Sequence, residues 1–182
     1  MCRNIERQIM QWGMLTGRPG GGFTLIEVIL VVLIIGIAAG VVVPMMSSAG
    51  SMEIRAAASM IAGDLEYAKS MAISRGQPYS VRFDTTTESY RVLDQAGTVI
   101  AHPVKKGFSY AIDFRNDGRL DRVDISNVSF DGTDKVTFDY LGSPYNGSGG
   151  SLLSGGVVTL QSGGATRTVS VEPVTGFISV SN

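Results

Sequence analysis

An α+β fold, in which a long N-terminal helix packs on an antiparallel β-sheet globular domain, follows from three features of the 182-residue sequence. Phe23 to Val43 is an apolar run interrupted by one carboxylate, Glu27. A stripe of apolar residues at helical spacing comes next, and from Tyr79 onward short alternating segments are separated by turn residues. The first half of the predicted helix is membrane-spanning in character and the second half amphipathic.

The charge balance narrows the function classes. With 15 Lys and Arg against 16 Asp and Glu, the chain lacks the cationic excess that phosphate neutralisation demands of a nucleic-acid-coating protein. Cys2 is the only cysteine, which excludes an intramolecular disulfide, and His102 is the only histidine. A catalytic triad or a histidine-based metal site needs more partners than these. No cofactor and no enzymatic activity are expected.

The run from Phe23 to Val43 holds 21 residues. At about 1.5 Å per residue it reaches about 31 Å as a helix, close to the ~30 Å hydrocarbon thickness of a bilayer. Arg3, Arg7 and Arg18 precede it against a single Glu6, the asymmetry that holds an N-terminus in the cytoplasm. Pro19 and the glycines 20–22 keep the backbone extended ahead of the helix, where a protease cleft can hold it. A secretory signal peptide is the rival interpretation, since Gly36, Ala38, Ala39 and Gly40 offer small residues for cleavage. Continuation of the helical pattern past the run weighs against it.

Pro44 removes one helical hydrogen bond and clashes with the preceding turn, so a kink is expected near it. Beyond, Ile54, Ala58, Ile61, Leu65, Ala68 and Ala72 alternate spacings of four and three, which defines the stripe expected to pack on the sheet. Glu53, Arg55, Asp64, Glu66 and Lys69 are assigned mostly to the remaining surface. Gly76 is placed to cap the helix, and Pro78 prevents continuation.

Residues 79–84 and 89–94 flank a Thr-rich turn and predict a hairpin. Further strands are predicted over 98–104, 108–114, 123–130, 135–140, 157–161, 166–171 and 176–180. Asn116-Asp117-Gly118, Asp131-Gly132 and Gly163-Gly164 supply turns, and the Gly/Ser-rich residues 146–156 predict a mobile surface loop. In the segment "DFRNDGRLDRVD", Asp113, Asp117, Gly118, Asp121 and Asp124 occupy positions one, five, six, nine and twelve of a calcium-loop template. Arg115 stands at position three, where a ligand belongs, and Asp124 replaces the bidentate Glu. A solvated turn laced by Asp/Arg pairs is therefore preferred over a calcium site at these four aspartates, and no metal is favoured.

Gly22 followed by "FTLIEVILVVLIIGIAAGVVVP" resembles the class III signal of type IV pilins and type II secretion pseudopilins: a glycine, a methylatable Phe, Thr-Leu-Ile-Glu and an apolar helix reaching a proline. "VTFDYLGSP" and "GGVVTLQSGGATRTVSVEPVTGFISV" resemble the C-terminal half of the H-type minor pseudopilins and related minor type IV pilins. The resemblance implies cleavage by a prepilin peptidase between Gly22 and Phe23 and N-methylation of Phe23. It divides the chain into a leader (1–22), a transmembrane and assembly helix (23–44), an amphipathic periplasmic helix (45–76) and a β-rich periplasmic domain (77–182).

The same resemblance accounts for Glu27. A carboxylate costs about 2.5–3.5 kcal/mol at the centre of a membrane helix on insertion scales, so such groups are paired. In an isolated monomer Glu27 can snorkel to the headgroups. In an assembled filament the resemblance implies that it neutralises the Phe23 amine of an adjacent subunit and sets the axial register.

The function implied is that of a minor pseudopilin of a type II secretion system, a structural subunit of a periplasmic pseudopilus that drives protein export. Its implied partners are prepilin peptidase, other pseudopilins or pilins, and an inner-membrane assembly platform driven by a cytoplasmic ATPase. The implied location is the inner membrane, single-pass, with the N-terminus cytoplasmic, the C-terminal domain periplasmic, and extraction into the filament on assembly. The alternative is a minor type IV pilin in pilus assembly or DNA uptake. DNA-binding relatives carry arginines near the C-terminus, where this chain has only Arg167, so nucleic acid is not an expected partner. A soluble periplasmic β protein released from a signal peptide is the third class.

Overall fold

Local sequence accounts for both ends of the first element in the computed structural model, which describes residues 22–147 and 150–181. Helix α1 (Leu25–Arg75) begins at Thr24, whose Oγ1 accepts the Glu27 backbone N–H at 3.3 Å, the bond expected of an N-cap. It ends at Gly76, whose φ of +64° suits a residue without Cβ, while the Gln77 N–H bonds back to the Ala72 carbonyl at 3.3 Å. The helical assignment continues through Pro44, but the side chains of residues 40–49 lie outside the described ones. The chain divides into two compact units, Met1–Val42 and Val43–Asn182, and each is described by itself. The kink expected at Pro44 concerns their junction.

In the first unit, residues 22–39 are exposed around the whole helix circumference. Among the described residues no helix is long and apolar enough to cross a membrane. The 21-residue span expected over 23–43 runs into positions whose side chains are outside the description, as does the arginine-bearing stretch 1–21.

The second unit contains the amphipathic part of α1 and nine strands: β1 (Tyr79–Asp84), β2 (Ser89–Leu93), β3 (Ala111–Asp113), β4 (Asp124–Phe130), β5 (Lys135–Phe138), β6 (Pro144–Asn146), β7 (Gly156–Ser162), β8 (Ala165–Val171) and β9 (Ile178–Ser181). Every pairing is antiparallel, as the hairpin signals require, and the strands form two sheets. One has the order β3-β2-β1-β5-β6 and the other β4-β7-β8-β9. The β7–β8 hairpin turns on Gly163-Gly164, adjacent residues with positive φ as a two-residue turn between twisted strands needs, and Asp131-Gly132, also both at positive φ, turns the chain from β4 in one sheet to β5 in the other, closed by a single Phe130–Thr133 bridge.

All six predicted stripe residues of α1 are fully buried, joined by Ala57. Their core also takes Val81 and Phe83 from β1, Tyr90 and Val92 from β2, and Val158, Leu160, Val169 and Val171 from β7 and β8. Each fully buried Leu or Ile contributes about 1.5–3 kcal/mol. Phe83 of the first sheet stacks on Phe130 of the second at 5.8 Å, which joins the two sheets through ring contact. A Cβ at Gly156 would lie 2.5 Å from the Phe130 ring, so glycine is what lets β7 approach.

Three strand expectations need correction. Residues 98–104 form no strand, only bridges at Val99 and Ala101, because Pro103 has no N–H to extend the ladder. The strand expected over 108–114 shrinks to β3. Strand β6 was missed, and the Gly/Ser-rich segment beside it is tied down: Leu153 is buried, its N–H bonds the Pro144 carbonyl at 2.9 Å, and Gly147 N–H reaches Thr133 Oγ1 at 3.0 Å. Residues 148 and 149 of the segment expected to be mobile lie outside the described residues.

Candidate assembly surface and the clusters around it

The motif residues Gly22, Phe23 and Glu27 come together at the start of α1. Gly22 is exposed, and Phe23 is 80% exposed. Thr24 caps the first turn: its carbonyl accepts the N–H groups of Glu27 (3.1 Å) and Val28 (3.2 Å) and its hydroxyl the former as well. The spacing Thr24-x-x-Glu27 is that of a capping box, which places the carboxylate in the first helical turn, where the positive end of the helix dipole favours an anion. From Leu25 to Ile37 large apolar side chains project on every face. A helix hydrophobic all round is stable only when lipid or other helices cover it. Within residues 22–39 Glu27 is the one ionisable side chain, so any electrostatic specificity there resides in it.

The four calcium-candidate aspartates do not converge. Asp113 caps its own turn, with Oδ1 accepting Arg115 N–H at 2.9 Å and Oδ2 accepting Asn116 Nδ2 at 2.6 Å. Asp117 pairs with Arg119 at 3.0 Å, which holds its carboxyl below the usual value. The Arg115 guanidinium, at template position three, occupies the middle of the loop: it pairs with Asp124 and bonds the Asp121 carbonyl at 2.9 Å. Among the described residues no group of three or more His, Cys, Asp or Glu side chains is placed to hold a metal ion.

Two polar clusters escaped sequence reasoning. Asp64, grouped with the residues mostly on the remaining helix surface, lies beside the buried stripe, and its carboxylate accepts the hydroxyls of Tyr90 (2.6 Å) and Tyr110 (2.7 Å). Burial pushes the Asp64 carboxyl up, and these hydroxyl bonds, with a smaller influence from His102, pull it partly back. Burial likewise raises both tyrosines, Tyr90 most. His102 lies against Tyr110 with ring centroids 4.6 Å apart, and its Nδ1 accepts the N–H groups of Val104 and Lys105. The cluster thus fastens residues 102–110 to α1. In the second cluster Glu88, at a φ of +50°, accepts the Ile125 N–H of β4 and faces Arg115 at 3.7 Å, linking the first hairpin to the other sheet. The Asp64 signal was one carboxylate adjoining the stripe, and nothing local named its partners.

Comparison with known proteins adds to this geometry. The family model described as type II transport protein GspH matches residues 57–175, and the prokaryotic N-terminal methylation motif matches residues 18–43. A search of curated protein sequences returned no match. Among solved structures, the minor pseudopilin EpsH from the type 2 secretion system of Vibrio cholerae is 14% identical, with 71% of this chain and 96% of that one covered and a TM-score of 0.51. The type IV minor pilin FimU of Pseudomonas aeruginosa is 17% identical in one crystal form, with 70% and 92% covered and a TM-score of 0.46. The likeness to EpsH shows a shared pilin-like fold, with the N-terminal helix on the sheet domain.

Proposed function

We propose that this chain, which belongs to the GspH family of type II transport proteins, is a minor pseudopilin: a structural subunit of a periplasmic filament in a type II secretion system. One observation carries the proposal. An apolar helix whose described residues 25–39 are exposed on every face, capped by Thr24 and bearing a single carboxylate, immediately follows an exposed Gly22 within the matched N-terminal methylation motif.

In this proposal prepilin peptidase cuts between Gly22 and Phe23 and the new amine is methylated. The protein then rests in the inner membrane as a single-pass subunit, N-terminus cytoplasmic and β-rich domain periplasmic. When an assembly platform extracts it into the filament, helices of neighbouring pseudopilins replace lipid around residues 25–43. Glu27 of one subunit then faces the Phe23 amine of the next. In a low-dielectric bundle an unpaired ion of either sign is expensive, so the pair selects one axial register among those that apolar packing would tolerate. The chemistry is assembly, and no catalytic step is assigned to any residue.

Mass spectrometry of the mature N-terminus and a Glu27→Gln variant test this together. The expected mature chain starts at N-methylated Phe23, and the variant, processed normally, co-sediments with filament subunits at least tenfold less. A chain that begins after Val43, or undiminished incorporation of Glu27→Gln, overturns the proposal. Incorporation into retractile pili instead of a secretion filament would favour the minor type IV pilin role.

A further inference from the structure

Four strands form sheet edges among the described residues, and three of them carry a device against pairing with other chains. Strand β3 is three residues long and ends in Asp113. Strand β6 starts with Pro144, which has no N–H, and a bridge from Tyr145 to Leu152 covers it. Strand β4 begins at Asp124, paired with Arg115, and its register shifts between Ile125 and Asn127. Strand β9 has none of these: its sequence ISVS lacks charge, proline and irregularity, and it pairs in register with β8 on one side only.

The pairing phase shows which groups of β9 are free. Glu172 N–H donates to the Phe177 carbonyl at 2.8 Å, so residues 172 and 177 form a hydrogen-bonded pair. Bonded and non-bonded pairs alternate along an antiparallel ladder. Ser179 and Ser181 therefore direct their backbone groups toward β8, and Ile178 and Val180 direct theirs outward.

Apolar surface adjoins this open edge. Phe177 is 59% exposed, Val180 40% and Leu141 68%. The turn that carries Phe177 is firmly placed: Lys69 Nζ bonds the Gly176 carbonyl at 3.0 Å, and a Cβ at Gly176 would lie 2.7 Å from the Gly142 oxygen, next to Leu141. In the same turn Val174 holds a φ of +62°, a costly conformation for a β-branched residue. No charged residue occurs from Pro173 to Ser181.

We propose that the outer edge of β9, with Phe177 beside it, is a docking site that receives an extended, uncharged segment of a neighbouring filament subunit as an added strand. This rests on the filament role proposed above. The N–H and C=O groups of Ile178 and Val180, which point away from β8 and have no partner among the described residues, supply the hydrogen bonds, and the uncharged edge selects an apolar or hydroxyl-bearing strand because a charged one would lose solvation without a partner.

The test places a photo-crosslinking aromatic amino acid at position 177 of the full-length chain, in cells that produce the complete secretion assembly. The expected product joins this chain to a different pilin-like subunit, at a segment that peptide mapping shows to be extended. Val180→Pro removes the outward N–H without touching the β8 ladder, and it is expected to cut the yield at least tenfold with an unchanged circular-dichroism spectrum. Should that variant fold poorly, Val180→Lys, which sets a charge at the same edge, is expected to do the same. No product, a product with a second copy of this chain or a non-filament protein, or undiminished yield in the folded variants overturns the proposal. Co-sedimentation of the unlabelled chain with filament subunits separates the two ideas: with co-sedimentation but no product only the edge proposal falls, and without co-sedimentation the filament role falls and takes the edge with it.

Discussion

Asp64→Ala tests how residues 102–110 are held to α1. Truncation leaves the hydroxyls of Tyr90 and Tyr110 without their acceptor at 2.6 and 2.7 Å, and the Tyr90 ring is only 1% exposed. A buried polar group left unpaired costs about 1–3 kcal/mol, so the pair sets an expected loss of about 2–6 kcal/mol. Asp64→Asn keeps one acceptor and removes a partly buried charge, so its expected cost at neutral pH is below about 1.5 kcal/mol, about one net hydrogen bond. The pH dependence has a definite sign. Because burial raises the folded-state carboxyl above its unfolded value, the contribution from this shift is fully present below the unfolded value and is lost as pH rises through the folded one. Wild type should therefore gain on Asp64→Asn as pH falls through that window, and the difference should be flat above it. Denaturant unfolding followed by far-ultraviolet circular dichroism measures all three proteins. An Asp64→Ala loss below about 0.5 kcal/mol, within the range of ordinary surface substitutions, would refute the role given to this carboxylate.

Leu65→Ala empties a fully buried stripe position and is expected to destabilise by about 2–5 kcal/mol in the same unfolding measurement. Gly156→Ala pushes a methyl into the Phe130 ring and should cost about 1–3 kcal/mol, while Gly155→Ala, with open space around it, should change the midpoint little. Calcium at millimolar concentration, or its chelation, is expected to leave thermal unfolding unchanged because Arg115 already engages Asp124 and the Asp121 carbonyl, whereas a rise of several degrees would restore Asp113, Asp117, Asp121 and Asp124 as ligands.

The features legible in the sequence are those with a local cause. Thr24 three residues ahead of Glu27 marks a helix start, and Gly76 before Gln77-Pro78 marks its end. The stripe from Ile54 to Ala72 announces its buried face through periodicity alone, and all of it is buried. Gly22, Phe23 and Glu27 are likewise contiguous, so their motif could be recognised before any fold was known. Asp64 shows where local evidence ends. Its neighbours in the chain place it beside the stripe, but its acceptor role depends on tyrosines 26 and 46 residues away.

By itself, then, the sequence determined the long helix, its apolar and amphipathic halves and the turns, because each follows from backbone preference or side-chain periodicity within a few residues, and it carried the N-terminal methylation motif as a contiguous stretch. Only the tertiary structure decided that the strands divide into two sheets, that Arg115 occupies the middle of the aspartate loop, that Leu153 anchors a Gly/Ser-rich segment, and that β9 is left with an open edge. These are choices among distant partners. Such choices depend on which surfaces meet once the core excludes water, and no local pattern carries that information.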